Sequence, residues 1–204
     1  MTRLSAFIRD TRGASAAEFA LVLPLLLIVL FGTIDIGRYG WNLSQAQKAT
    51  QVGARTAVVT DMVPSALYTY SFAVSGSVPQ GTTVPEASFP TITCQSNGTT
   101  ATCSCPGNLP FCGTASNAAF NRVANRMADI YPGLTAANVE VTYAWSGLGF
   151  SGDPNGADVA PLVTVRLRNL QFAPFTSYVW RTNINLPSFA YSMPMEDGIG
   201  TSSN

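Results

Sequence analysis

One carboxylate lies inside an otherwise uncharged apolar stretch near the start of the chain. Residues 14–34 number 21, and Glu18 is the only charged residue among them. A helix of that length extends about 30 Å, which is the thickness of the hydrocarbon core of a bilayer. An ionised side chain costs roughly 2.5–3.5 kcal/mol at the centre of a membrane-spanning helix and less near its end, so an acid there is expected to have a function. Glu18 therefore needs a partner.

A partner for Glu18 arises if the chain is cut after Gly13. Ala14 then carries a new α-amino group, which lies about 6 Å from Glu18 along the helix axis. The same pair could also form between neighbouring subunits that are staggered by one helical turn. At 4 Å and an effective dielectric constant of 20 such a pair gains about 4 kcal/mol, which offsets much of the cost of desolvation. Glu18 would then set the register of assembly.

The four cysteines are the next group that could do chemistry, and they fall within 19 residues at Cys94, Cys103, Cys105 and Cys112. An even number of cysteines in a segment expected outside the membrane predicts two disulfides in an oxidising compartment. Zinc sites usually offer paired Cys-x2-Cys knuckles, which this spacing lacks. A bridge between Cys103 and Cys105 would be strained. The sequence leaves the other two pairings open.

A segment at residues 147–158 also carries oxygen-rich side chains. Asp153, Asn155 and Asp158 could offer oxygens to calcium, which takes six to eight. The register of an EF-hand is missing, however, and Asp-Pro-Asn-Gly is a strong turn sequence. We interpret the segment as a solvated hairpin loop, and we expect no metal and no other cofactor.

The overall composition argues against catalysis and against nucleic-acid binding. Histidine is absent and the formal net charge is zero. Without histidine the chain lacks the commonest general base and the commonest metal ligand, so most hydrolytic triads and catalytic zinc sites are excluded. An enzyme that uses acids alone would need two carboxylates close together, which the spacing of the acids does not indicate. Only 11% of residues are charged, so no basic field would attract nucleic acid.

The element that positions Gly13 and Glu18 is an N-terminal membrane anchor with a basic leader. Three arginines and one aspartate precede the apolar run: Arg3, Arg9, Asp10 and Arg12. After the run, the opposite charges of Asp35 and Arg38 cancel. Positive charge stays on the cytoplasmic side of a membrane. We therefore expect residues 1–13 to be a cytoplasmic leader, residues 14–34 to be the transmembrane helix, and the rest to face outward.

The N-terminal segment reads Arg12-Gly13-Ala14-Ser15-Ala16-Ala17-Glu18-Phe19-Ala20-Leu21-Val22-Leu23-Pro24. This string resembles that of the TadE-like family, the pseudopilins of the tight-adherence (Flp) type IVb pilus assembly system. In that family a prepilin peptidase cleaves after the glycine, and the product joins pilus assembly at the inner membrane. The resemblance implies a processing site at Gly13 and Ala14, with Glu18 and Phe19 serving recognition and assembly. A weaker similarity to the family's closing strand and acidic tail lies at residues 186–190 and 193–197.

The resemblance implies a single-pass protein of the bacterial inner membrane with a periplasmic or extracellular head. Its partners would be the prepilin peptidase and other pilins or pseudopilins. The alternative is a membrane-tethered ligand-binding or adhesion protein with an uncleaved signal anchor. A removable signal peptide fits less well, because the apolar run is too long and lacks a small-x-small cleavage site at its far end.

The helical pattern continues past the anchor as an extension over residues 35–61, since no proline occurs before Pro64. Tyr39 and Trp41 are expected to form an aromatic belt at the membrane interface. Small residues recur along the extension at spacings of three and four: Ala46, Ala49, Gly53 and Ala57. Either a helix of another chain packs on this face, or the helix lies on its own domain.

Residues 64–204 are expected to form the head, with a disulfide-rich loop at 94–112. Ser116 is the predicted N-cap of a helix over residues 117–131. Alternation of apolar and polar residues predicts strands at 139–145, 162–172 and 183–192, and short apolar pieces at 68–74 and 89–93 suggest further strands. The predicted fold class is α+β: a long N-terminal transmembrane helix followed by a small antiparallel-sheet head with one covering helix.

Overall fold

The computed structural model describes residues 13–107 and 109–201, and most of the expected leader, residues 1–12, lies outside them. Within the described residues the chain divides into two compact units. Unit 1 comprises residues 13–41 and 172–184. Unit 2 comprises residues 42–171 and 185–201. The division means that the apolar anchor shares a unit with a short segment from late in the chain.

A single long helix, α1, runs over Ala14–Val59 and has 46 residues. It begins directly after Gly13 and contains Pro24. The predominance of alanine, leucine and other helix formers explains its length. The α1 helix covers both the expected anchor and most of the expected extension, and the prediction of a long N-terminal helix is confirmed.

The β structure of the described residues consists of a five-stranded antiparallel sheet and a separate two-stranded one. The strands are β1 Ile92–Ser96, β2 Ala101–Ser104, β3 Val139–Ala144, β4 Leu162–Leu167, β5 Gln171–Phe172, β6 Ile184–Asn185 and β7 Ala190–Pro194. The larger sheet has the order β2-β1-β3-β4-β7, and all neighbouring strands in it are antiparallel. The smaller sheet pairs β5 with β6. The α+β class and the antiparallel sheet are confirmed.

The central pair β3 and β4 shows why the period-two pattern was informative. Val141 lies directly opposite Val165, and Tyr143 lies opposite Val163. All four side chains are buried, while the intervening positions are more exposed. Full burial of a valine or leucine side chain contributes about 1.5–3 kcal/mol. The sequence pattern therefore predicted which face of these two strands enters the core.

Three of the strand predictions need correction. Residues 68–74 form turns instead of a strand, because the N–H of Phe72 donates to the Asp158 side chain at 2.6 Å and not to a strand ladder. The strand expected over 162–172 ends at Leu167, two residues before Asn169 takes a positive φ of 54°. The strand expected over 183–192 is divided into β6 and β7 around Pro187, which has no N–H to donate.

The helix predicted after the cysteines is α2, which runs over Asn117–Ala128 and is three residues shorter than expected. The Ser116 hydroxyl accepts a hydrogen bond from the N–H of Ala119 at 3.2 Å, as expected of an N-cap. A Cβ added to Gly53 of α1 would lie 2.5 Å from Sδ of Met127 in α2. Ala46, Ala49 and Ala57 are buried too, so the small residues of the extension pack against their own unit.

The C-terminal segment closes on the end of α1. The carbonyl oxygen of Val58 accepts from the N–H groups of Glu196 and Asp197 at 3.1 and 3.2 Å. Two further backbone bonds run from Asp61 N–H to the Gly200 carbonyl and from Met62 N–H to the Gly198 carbonyl. The last carbonyls of a helix have no intrahelical partner. The tail provides hydrogen-bond donors for one of these carbonyls, that of Val58, from within the same unit.

Candidate functional site

The expected processing site lies at the very start of α1. Gly13 is exposed, and a Cβ built on it meets no described atom within 4 Å. Ala14 is the first helical residue. Glu18 and Phe19 follow on the exposed surface of the first turns. Positions 14 and 18 are about one helical turn apart and lie on the same face of the helix.

Glu18 is solvated and has no ion-pair partner among residues 13–107 and 109–201. Within a bilayer that exposure would leave the carboxylate without water. In a membrane the carboxylate would therefore need a cationic partner, which no side chain among the described residues supplies.

The surface of α1 around Glu18 is apolar and uncovered. Leu21 is 81% exposed, and Leu25 and Leu26 are more than half exposed. An 18-residue window of the helix has a mean hydropathy of 2.5, and only 6% of it is buried within the structure. The core helix of a soluble protein would be mostly buried. One N-terminal helix of this kind supports single-pass anchoring in a membrane.

A buried carboxylate lies at the end of the apolar run. The sequence alone gave it no role beyond its charge and its position after the run. Asp35 is 7% exposed. Its Oδ1 accepts the N–H of Phe175 at 2.7 Å, and its Oδ2 accepts the N–H and the hydroxyl of Thr176, each at 3.0 Å. Arg38 adds an ion pair of 3.4 Å to Oδ1. Asp35 therefore holds residues 172–184 against α1. This segment contains a short helix at Ser177–Trp180 and is here called the 172–184 loop.

Aromatic rings complete the attachment of this loop. The guanidinium carbon of Arg38 lies 4.2 Å from the ring centre of Phe175 and 5.3 Å from that of Phe172. Tyr39 meets Phe172 edge-on, with 5.6 Å between ring centres. Trp41, the other residue of the predicted belt, is 67% exposed. The available signal was the density of aromatic residues in this segment, namely Phe172, Phe175, Tyr178 and Trp180.

The four cysteines form two disulfides within unit 2. Cys94 is bonded to Cys103, and Cys105 is bonded to Cys112. Cys94 and Cys103 lie directly opposite each other on β1 and β2, with their Cα atoms 4.0 Å apart. The structure thus selects one of the two pairings that the spacing left open, and strand register is the reason. The second bridge closes the loop that follows β2.

The oxygen-rich loop at 147–158 has a structural role. Asp158 is buried, and its two oxygens accept the N–H groups of Phe72 and Asp153 at 2.6 and 3.1 Å. Asp153 in turn accepts the N–H of Asn155 at 2.9 Å. In the part of the chain that the structure describes, no group of three or more acidic, cysteine or histidine side chains is placed to hold a metal. Asp158 serves to join two loops.

Comparison with known proteins finds a similarity to a known family in the N-terminal segment. Residues 13–55 match the family model TadE, described as TadE-like protein. The resemblance seen in the N-terminal string is therefore confirmed over this segment. No curated protein and no solved structure matches the chain. The match and the candidate membrane helix fit a membrane-anchored, pilus-associated protein, and the family is one of pilus components and not of enzymes.

Proposed function

We propose that this chain, which carries the TadE-like segment at residues 13–55, is a membrane-anchored pseudopilin that takes part in assembling a tight-adherence (Flp) pilus. A prepilin peptidase cuts the precursor between Gly13 and Ala14. The α1 helix then holds the mature chain in the bacterial inner membrane. The observation that carries the proposal is the uncovered apolar surface of α1. This surface begins at the expected cleavage site and includes Glu18, which has no ion-pair partner within the described ranges 13–107 and 109–201.

Glu18 is the assembly residue in this proposal, with Phe19 beside it as part of the recognition site. The carboxylate lies on the exposed face of the first turns of α1, where the α-amino group of Ala14 or of a neighbouring subunit can reach it. An ion pair in a medium of low dielectric constant is much stronger than in water. Pairing between subunits would therefore fix their stagger along the filament axis.

The proposed orientation has the leader in the cytoplasm and unit 2 in the periplasm or outside the cell. Two observations support it. The arginines precede the anchor, as the distribution of positive charge in membrane proteins predicts. The two disulfides of unit 2 are of the kind that forms in an oxidising compartment. The prepilin peptidase, whose substrate is the leader junction, and other pilins or pseudopilins are the proposed partners.

Incorporation of variants into pili tests this function. In cells that lack the native copy, Glu18→Ala should be processed normally but should be absent from assembled pili, and Glu18→Gln should behave the same way because it lacks the charge. Glu86→Ala, which removes an exposed acid of unit 2, is the matched control and should be incorporated. The amount of protein in sheared pili and in membranes is measured by immunoblotting.

Two results would count against the proposal in different ways. Normal incorporation of Glu18→Ala would remove the role assigned to the carboxylate. Unchanged pilus number and attachment in cells that lack the whole chain would contradict a part in pilus assembly.

A further inference from the structure

We propose that the 172–184 loop is a second membrane-contacting segment, which lies in the headgroup region of the bilayer where the anchor leaves it. The partner of this surface is lipid that includes anionic headgroups. The inference rests on the membrane anchoring proposed above but adds a surface that the anchor alone does not imply. It concerns only residues of unit 1.

The depth of the loop follows from its attachment to Asp35. This residue comes directly after Ile34, the last residue of the apolar run. The main-chain N–H groups of Phe175 and Thr176 both donate to its carboxylate, at 2.7 and 3.0 Å. Because these bonds tie the loop backbone to the helix position where the apolar run ends, the loop lies at the level of the interface if the helix spans the membrane. One turn of helix is only 5.4 Å, so the attachment keeps these two residues close to the level at which the apolar run ends.

The side chains that the loop leaves uncovered are those that favour the interface. Tyr178 is 89% exposed, and both Phe175 and Ile184 are more than two-fifths exposed. On α1, beside the attachment point, Ile36 and Trp41 are also largely exposed. Tyrosine and tryptophan are enriched at the membrane interface, where the ring is buried and its polar edge stays wet. An apolar surface of this kind is unusual in water and is expected at the edge of a bilayer.

The charges of the segment fit an anionic surface. Residues 172–184 contain one arginine, Arg181, and no acid. On α1 the charge of Arg38 is balanced by Asp35, so Arg181 gives this part of the unit its net positive charge. A basic residue near a membrane with anionic lipids contributes about 1 kcal/mol. Electrostatic attraction and aromatic insertion therefore act in the same direction.

Photo-cross-linking to lipid tests the proposal on the full-length chain. The photoreactive residue benzoylphenylalanine is introduced at one position at a time, and the protein is reconstituted in vesicles of phosphatidylcholine and phosphatidylglycerol that contain an alkyne-tagged lipid. Position Leu25, in the middle of the anchor, reports on the anchor itself. Position Tyr178 reports on the loop. Position Val74, an exposed apolar residue of unit 2, gives the background.

We expect lipid labelling at both Leu25 and Tyr178, each about tenfold above that at Val74, because Leu25 lies in the hydrocarbon core and Tyr178 lies at the interface in this proposal. Labelling at Leu25 alone would overturn the inference and leave the anchor intact. A cross-linked dimer at Tyr178, without lipid, would show that a second copy covers the loop and would also overturn it. Background labelling at both positions would contradict the anchor and the inference together.

A variant of Asp35 tests the attachment. Asp35→Ala removes the carboxylate that accepts the N–H groups of Phe175 and Thr176 but leaves residues 14–34 unchanged. We expect lipid labelling at Tyr178 to fall about threefold or more, because two main-chain donors lose a charged acceptor, while labelling at Leu25 stays the same. Asp61→Ala, in unit 2, is the control and should change neither. Undiminished labelling at Tyr178 in Asp35→Ala would overturn the role of Asp35 in placing the loop at the membrane.

Discussion

The carboxylate of Asp35 accepts the backbone N–H of Phe175 at 2.7 Å across 140 residues of sequence. This bond and its two companions from Thr176 close unit 1, since they join the end of the apolar run to a segment from late in the chain. The consequence is that the anchor does not leave the membrane region as a bare helix. It carries an attached aromatic loop, and both the proposed membrane contact and the first prediction depend on this attachment.

Removing the Asp35 carboxylate should release the loop. In Asp35→Ala the N–H groups of Phe175 and Thr176 lose a charged acceptor, and hydrogen bonds to charged groups contribute about 1.5–3 kcal/mol each. Hydrogen exchange of these two amides should therefore accelerate by more than tenfold in detergent or nanodiscs. Thr176→Val, which removes the hydroxyl but keeps the N–H, should have a much smaller effect. Equal exchange rates in Asp35→Ala and the parent protein would contradict the assigned role.

The Tyr143 hydroxyl should matter to the stability of unit 2. Tyr143 is fully buried, and its oxygen accepts the N–H of Val63 at 3.0 Å. Tyr143→Phe leaves that buried N–H without a partner, which costs about 1–3 kcal/mol. The free energy of unfolding, from denaturant titration monitored by near-UV circular dichroism, should fall by this amount. Tyr191→Phe, at a partly exposed site, is the control and should be nearly neutral.

Alkaline pH should destabilise the protein through the same residue. Burial raises the pKa of Tyr143 well above its ordinary value, although the hydrogen bond from Val63 acts in the opposite direction. The folded state therefore holds the phenol proton more tightly than the unfolded chain, whose tyrosine pKa is about 10. Below about pH 10 this residue adds no pH dependence, and above it the free energy of unfolding falls by up to about 1.4 kcal/mol per pH unit.

Tyr143→Phe separates the contribution of Tyr143 to the alkaline pH dependence from that of other tyrosines. The quantity compared is the slope of the free energy of unfolding against pH. Burial also raises the pKa of Tyr131, so part of the alkaline slope should remain in Tyr143→Phe. The part of the slope that comes from Tyr143 should be absent in the variant. An identical slope between pH 10 and pH 11.5 in both proteins would contradict the assignment to Tyr143.

Substitution of Gly13 should block processing without affecting the fold. A Cβ added at Gly13 would meet no described atom within 4 Å, so the folded chain has room for a side chain at this position. The peptidase must approach the bond between Gly13 and Ala14, and a branched side chain there obstructs that approach. We expect the precursor to accumulate at full mass in the membrane. Cleavage at the normal rate in Gly13→Val would contradict the assigned site.

Local patterns predicted much of this fold because they reflect local physics. The apolar run of α1, the alternation along β3 and β4 and the hydroxyl of Ser116 before α2 each indicate their own element. The failures have a different origin. Phe72 lies in a turn because Asp158, 86 residues later, accepts its N–H. No pattern within a window of sequence carries that information.

The same distinction applies to the candidate site: its contiguous motif could be predicted from the sequence, and its contacts between distant residues could not. The motif around Gly13 and Glu18 is contiguous, and its resemblance to the TadE-like family is confirmed over residues 13–55. The attachment of the 172–184 loop to Asp35 was missed, since it depends on main-chain donors that every residue type except proline can offer. The cysteine spacing allows two disulfide pairings, and the strand register decides between them by placing Cys94 opposite Cys103.

The most direct test of the central claim is the N-terminal sequence and intact mass of the protein purified from its native membrane. The account predicts a mature chain that begins at Ala14, with Glu18 as its fifth residue and with both disulfides in place. A chain that begins at Met1 or Thr2 would contradict processing by a prepilin peptidase. It would instead favour a membrane-tethered protein with an uncleaved signal anchor.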